Sequence, residues 1–143
     1  MIYKALDIAK YVVSVCYEQG APVTNLKLQK ILYFIQKDFI KRNTLAFSDD
    51  IEAWKFGPVV PSVYYHFCHF GSMPITEEYK TNIFPDEVEN KNAIDHVIQD
   101  NYKIYPWTLV ERTHKPNGAW AKTFKMGEGC FNIIKPTLIK QEA

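Results

Sequence analysis

A chain of 143 residues with 47% hydrophobic and 23% charged side chains has the make-up of a globular protein, large enough to bury a core without disulfide or metal staples. Its formal net charge of +1 excludes a general electrostatic pull toward nucleic acid or membrane. Three scattered cysteines, Cys16, Cys68 and Cys130, do not make the pattern of a disulfide framework and fit a reducing compartment.

The opening run resembles a signal peptide only superficially, because Lys4, Asp7 and Lys10 interrupt it. No stretch is long and apolar enough to span a bilayer. The expectation is one cytoplasmic domain over residues 1–143. Within the first run, Ile2, Leu6, Ala9, Val13 and Cys16 keep a helical rhythm, and Ile8, Val12 and Val15 form a second stripe. This predicts a helix buried on two sides, stopped by Gly20 and Pro22.

Thr24 is placed to cap a second helix, with Leu28, Ile31, Leu32, Ile35 and Phe39 as its core stripe. Lys27 falls in its first turn, where the helix dipole disfavours a cation. The expectation is an exposed lysine that tolerates this; the alternative is a carboxylate elsewhere that holds Lys27 or Lys30. Next, Ser48-Asp49-Asp50 between apolar residues predicts a short hairpin. Ile51, Ala53 and Lys55 would then share one face, with Glu52, Trp54 and Phe56 on the other.

Gly57-Pro58-Val59-Val60-Pro61 is a stiff corner. A residue before proline is pushed to extended conformations, and Pro61 suits the first position of a third helix carrying Val63, Phe67 and Phe70 and stopped by Gly71. Ser72 to Pro85 reads as irregular, with a brief strand near Pro74-Ile75-Thr76. Asp86 and Glu89 have capping-box spacing before a fourth helix carrying Ile94, Val97 and Ile98. Pro106 ends it and starts a fifth through Leu109 and Val110. Lys115-Pro116-Asn117-Gly118 is a turn. Trp120 opens another short helix, and a last amphipathic piece holds Ile133, Ile134, Leu138 and Ile139. The fold class is therefore mainly α, about six helices with a small β-hairpin.

Charge is unevenly spread. Lys27, Lys30, Lys37, Lys41 and Arg42 lie together on the second helix with a single acid, Asp38. Seven acids fall between Glu77 and Asp100 against Lys80 and Lys91. Two complementary solvated faces are the plain reading; a basic face for an acidic partner is the sharper one.

Chemistry-bearing patterns are sparse. His66, Cys68 and His69 crowd one turn but lack the paired spacing of a zinc site, so a histidine in a helix and a buried cysteine are expected, with no metal and no cofactor. No nucleophile elbow, phosphate loop or dinucleotide fingerprint occurs. An enzyme reading would need Glu52, Lys30 and His114 to converge. The second helix lacks the arginine, asparagine and glutamine run of a base-reading helix, which argues against nucleic acid. The corner is what remains. Ordering it costs little entropy, and Trp54, Phe56 and Tyr64 beside it would give rigid contact area.

Three segments, VTNLKLQKILYFIQ (Val23–Gln36), IEAWKFGPVVPSVYYHF (Ile51–Phe67) and WTLVERTHKPNGAWAK (Trp107–Lys122), resemble in order and spacing the Panacea antitoxin domain. This is the family of SocA-like antitoxins and phage-associated GepA-like proteins. The resemblance runs from the first helix to about Phe124, with little chain beyond it for an appended module. It implies a small, mostly helical domain with a minor β element, in a toxin–antitoxin setting that includes prophages. It implies a protein that is not an enzyme and that neutralises a toxin encoded beside it by direct contact. For SocA-like members it also implies an adaptor role toward a cytosolic protease. The expected partner-binding residues are Lys27, Lys30, Glu52, Trp54, Phe56, Tyr64, His114 and Trp120. The rivals are an adaptor or chaperone without a dedicated toxin, the small enzyme, and a repressor of its own promoter.

Overall fold

The structure, a computed structural model, describes residues 2–80, 83–84 and 86–143. Thr81, Asn82 and Pro85, in the stretch read as irregular, lie outside the described residues, as does Met1. The architecture is mainly α with a two-stranded antiparallel sheet. Helix α2 (Asn25–Lys41) is the axis, and α1 (Ala5–Glu18), α3 (Pro61–Phe67), α4 (Val88–Asn101), α5 (Pro106–Thr113) and α7 (Pro136–Gln141) pack against it. A seventh helix, α6 (Ala119–Phe124), lies against β1.

The reason α2 sits at the centre is written in its side chains. Leu28, Ile31, Leu32, Tyr33, Ile35 and Phe39 are all buried, which is too wide a stripe for one-sided packing. Thr24 caps its start by accepting from Lys27 N at 3.2 Å. Asn43 takes the left-handed conformation just beyond its end, at φ +62°. Helix α1 buries both expected stripes, including Ile8, Ala9, Val12, Val13 and Cys16, although Ile2 lies outside the helix and is exposed.

The hairpin forms, but elsewhere than expected. Its strands are β1 (Glu52–Trp54) and β2 (Gly57–Val59), so its turn is Lys55-Phe56 rather than Ser48-Asp49-Asp50. Lys55 is thus exposed in the turn instead of sharing a face with Ala53. Asp49 has a different task. One carboxylate oxygen accepts from Ala5 N at 3.1 Å and the other from Ser62 Oγ at 2.9 Å, tying the starts of α1 and α3 together. On its free edge, β1 is flanked by the segment after α6. Phe131 N donates to Ala53 O, Ala53 N to Asn132 O and Ile134 N to Ile51 O, each at 2.8 Å. The first half of the last apolar piece is therefore extended, and only its second half is helix α7.

Two smaller expectations are corrected. Near Pro74-Ile75-Thr76 there is no strand, only one backbone bond from Ile75 N to Val23 O and a fully buried Ile75 side chain. Helix α4 starts at Val88 with Glu87 before it, and the Asp86–Glu89 capping box does not form. Glu87 instead accepts from the Tyr3 hydroxyl at 2.7 Å and from Asn90 Nδ2 at 2.6 Å.

Candidate functional site

The corner begins with Gly57. Its φ of +113° is open to glycine alone, a stricter demand than the extended conformation expected before a proline. A side chain there would meet Thr113 Oγ1 at 2.8 Å and Lys30 Cε at 2.9 Å. The hairpin thus rests directly on the Lys30 side chain and on the end of α5. Lys30 is fully buried, and its Nζ donates to Pro58 O at 3.1 Å. Gln29 Oε1 accepts from Val60 N at 2.8 Å, and Gln29 Nε2 donates to Asn25 Oδ1 at 3.0 Å. Asn25 Nδ2 in turn donates to Tyr64 O at 3.1 Å. One face of α2 therefore fixes both strand β2 and helix α3 through side-chain amides.

Above this base the rings gather. Trp54 meets Tyr64 edge-on with centroids 4.9 Å apart, and Phe131 at 5.4 Å. Trp54 Nε1 donates to Glu52 Oε1 at 2.9 Å, which uses up the indole's donor. Across the gap, Phe56 from the turn stands edge-on to Trp107 from the first turn of α5, at 5.3 Å. Between the two groups is a pocket of about 370 Å³ lined by Trp54, Phe56, Tyr64, Trp107 and Phe131, with Lys30 and Gln29 in its wall. That volume falls in the range of small-ligand pockets, roughly 300–1,000 Å³. Phe56, Trp107 and Phe131 remain 47%, 45% and 61% exposed, so the rim is apolar surface left to solvent.

A second ring stack lies behind the hairpin. His114 and Trp120 are parallel at 3.7 Å, Trp120 and Phe124 stack at 4.6 Å, and Trp120 Nε1 donates to Trp54 O at 2.8 Å. His114 Nε2 is, among the described residues, the buried side-chain polar atom with no partner. Burial lowers the His114 pKa, and the charge on Lys30 lowers it further. Burial alone pushes Lys30 down to about 7.

The expected residues therefore divide. Trp54, Phe56 and Tyr64 converge on the pocket, and Lys30 forms part of its wall. Glu52 orients Trp54; His114 and Trp120 support the hairpin from behind. Lys27 is not part of the group. It is buried, not exposed, and its Nζ donates to Tyr102 O. Among the described residues no carboxylate holds Lys27 or Lys30; backbone carbonyls hold both. Nor is the rest of α2 a free basic face. Lys37 pairs with Glu142 at 2.8 Å, Lys41 donates to Lys140 O and Glu142 O, and Arg42 pairs with Asp38 at 2.8 Å. Among the described residues no ion pair joins the basic stretch of α2 to the acids of residues 77–100. Glu52, Lys30 and His114 share no hydrogen bond with one another. Cys68 is exposed rather than buried, as are His66 and His69.

Trp107 and Phe131 went unseen in the sequence. Trp107 has a signal: it lies off the buried stripe of Leu109, Val110 and Thr113. Phe131 has none, because its place depends on the extended segment pairing with β1.

Residues 28–121 match the family described as "Antitoxin SocA-like, Panacea domain". The chain belongs to the SocA-like Panacea antitoxin family. Among its relatives is the Antitoxin SocA of Caulobacter vibrioides (strain NA1000 / CB15N), 31% identical over 69% of this chain. The alignment spans 58% of that relative's length. No solved structure matches the chain. The Panacea match takes in Lys30, the hairpin, Tyr64, Trp107, His114 and Trp120, whereas Asn25, Cys130 and Phe131 of the pocket lie beyond it.

Proposed function

We propose that this chain is an antitoxin that neutralises a protein toxin encoded beside it, by stoichiometric contact at the aromatic pocket. The observation that carries this reading is the cluster of half-exposed rings, Phe56, Trp107 and Phe131, held in fixed positions around a pocket in a chain of an antitoxin family. Rings anchored by their neighbours lose little freedom on docking, and aromatic anchors at the centre of an interface carry most of its energy. An interface of ordinary size would bury about 800 Å² on this side, which the pocket and its rim begin to supply.

The test is growth rescue on co-expression with the neighbouring gene. Phe56→Ser and Trp107→Ser change exposed side chains and leave the core intact, so both proteins are expected to fold and the pair to lose rescue. A folded double variant that rescues as well as the parent would show that the toxin is met elsewhere. Lys30→Glu is unsuited to this purpose, because it would bury an acid where a lysine now bonds Pro58 O.

A further inference from the structure

The pocket's walls also specify the charge of what enters, an inference that rests on the docking reading above. Five rings around a cavity could serve either of two side-chain types. A cationic side chain would be drawn to ring faces, as in aromatic cages. An apolar or aromatic side chain would be drawn by burial alone. The remaining lining groups decide between them.

Asn25 and Gln29 spend their amide oxygens and one N–H each on Tyr64 O, Val60 N and each other, so they carry no charge and only a second N–H apiece toward an occupant. The ionisable side chains of the wall, among the described residues, include Lys30 and Lys55 and no acid, and of the two lysines Lys55 is the one open to solvent. Neither has an ion-pair partner among the described residues. Lys30 is buried with a single carbonyl acceptor. Lys55 is exposed at the hairpin turn, with its ammonium 5.5 Å from the Phe56 ring and otherwise free. Glu52, the nearest acid on the hairpin, is engaged by the Trp54 indole and does not line the cavity. A cation entering would therefore face the Lys55 ammonium and no carboxylate among the lining groups, whereas an anion would find in Lys55 an ammonium with no ion-pair partner among the described residues.

We infer that the pocket receives an aromatic or long aliphatic side chain of the toxin with a carboxylate beside it in sequence, the apolar group filling the cavity and the carboxylate pairing with Lys55 at the rim. A lysine or arginine in that place is disfavoured by the like charge of Lys55.

Two blocked tetrapeptides test this on the full chain: acetyl-glycyl-aspartyl-tryptophyl-glycine amide and its counterpart with lysine for aspartate. Binding is followed by amide shifts in heteronuclear NMR spectra. The acidic peptide is expected to move the amides of Lys55, Phe56 and Phe131 and to bind at least fivefold more tightly. Lys55→Glu, an exposed change, is expected to invert that order. Equal affinities, a preference for the lysine peptide, or no shift around the pocket with either peptide would overturn the inference. Growth rescue separates this from the broader reading. If Phe56→Ser with Trp107→Ser abolishes rescue while the peptides show no charge preference, the docking surface stands and the acidic anchor falls.

Discussion

Lys30 is the residue on which the site is built, and its position is costly. A lysine fully buried with one carbonyl partner favours its neutral form, which is why its pKa falls to about 7. The sign of the consequence follows from linkage. In the unfolded chain the group keeps its ordinary value of 10.5, so between pH 7 and 10.5 the unfolded state binds more protons than the folded one. Stability therefore rises as pH goes up through that interval, and the full burial penalty is carried below pH 7. Urea midpoints at pH 7.0 and 9.5 should show the rise, and Lys30→Met should reduce it, since methionine fills similar space without a charge. A rise of the same size in Lys30→Met would remove Lys30 as its source. The sequence marked Lys27 for an oddly basic start to α2 and named Lys30 beside it as a lysine that a carboxylate could hold, whereas both are buried against backbone carbonyls. Helical periodicity says which face is apolar; it does not say that the hairpin will lie against Lys30, or that the backbone just after α4 will take up Lys27.

At the scale of elements, the hairpin is held by a glycine and the chain's last turn by a carboxylate. Gly57→Ala would force a β-carbon to within 2.9 Å of Lys30 and Thr113 at a φ of +113°. A destabilisation of roughly 1–3 kcal/mol is expected, with the Trp54 and Trp107 fluorescence changing alongside; an unperturbed melting curve would mean that the hairpin is not seated on Lys30. Glu142 gathers Tyr33 Oη at 2.9 Å, Lys37 Nζ at 2.8 Å and Ala119 N at 3.0 Å, joining α2, α6 and the end of α7. Burial opposes its charge, but these donors outweigh that and hold its pKa below the usual 4.5. Its contribution is thus present above that value and lost as pH falls through the folded pKa. Glu142→Ala leaves those donors unpaired and should cost about 1–3 kcal/mol at pH 7, with a smaller loss at acid pH where the native carboxyl is protonated. Gly118 belongs to the same arrangement, because a side chain there would stand 2.6 Å from Glu142 Oε1. The helices were legible from periodicity, caps and prolines: Thr24, Pro61, Pro106 and the Lys115–Gly118 turn all sit where their chemistry requires. The hairpin's register was not. The polar run Ser48-Asp49-Asp50 looked like its turn, but Asp49 is spent on the starts of two helices, a long-range use that local pattern cannot reveal.

For the molecule as a whole, the rings divide into those that hold the fold and those left at its surface. Trp120 and Tyr33 are used internally, by a bond to Trp54 O and by one to Glu142. Phe56, Trp107 and Phe131 satisfy no internal need of comparable weight and stay partly in water. Three segments far apart in sequence supply them, which is why the pocket could be glimpsed in the Trp54–Tyr64 block but not completed from it. The basic character of α2, read as a second docking face, is instead consumed by Glu142, Asp38 and the carbonyls of the chain's final residues. The most direct measurement of the central claim is the dissociation constant between the purified chain and the purified product of the neighbouring gene. Replacing Phe56 and Trp107 with serine should weaken it by about 30-fold or more, the equivalent of one lost anchor of about 2 kcal/mol, with the melting temperature unchanged. An unaltered constant in a folded double variant, or no complex with the parent chain at all, would contradict the account.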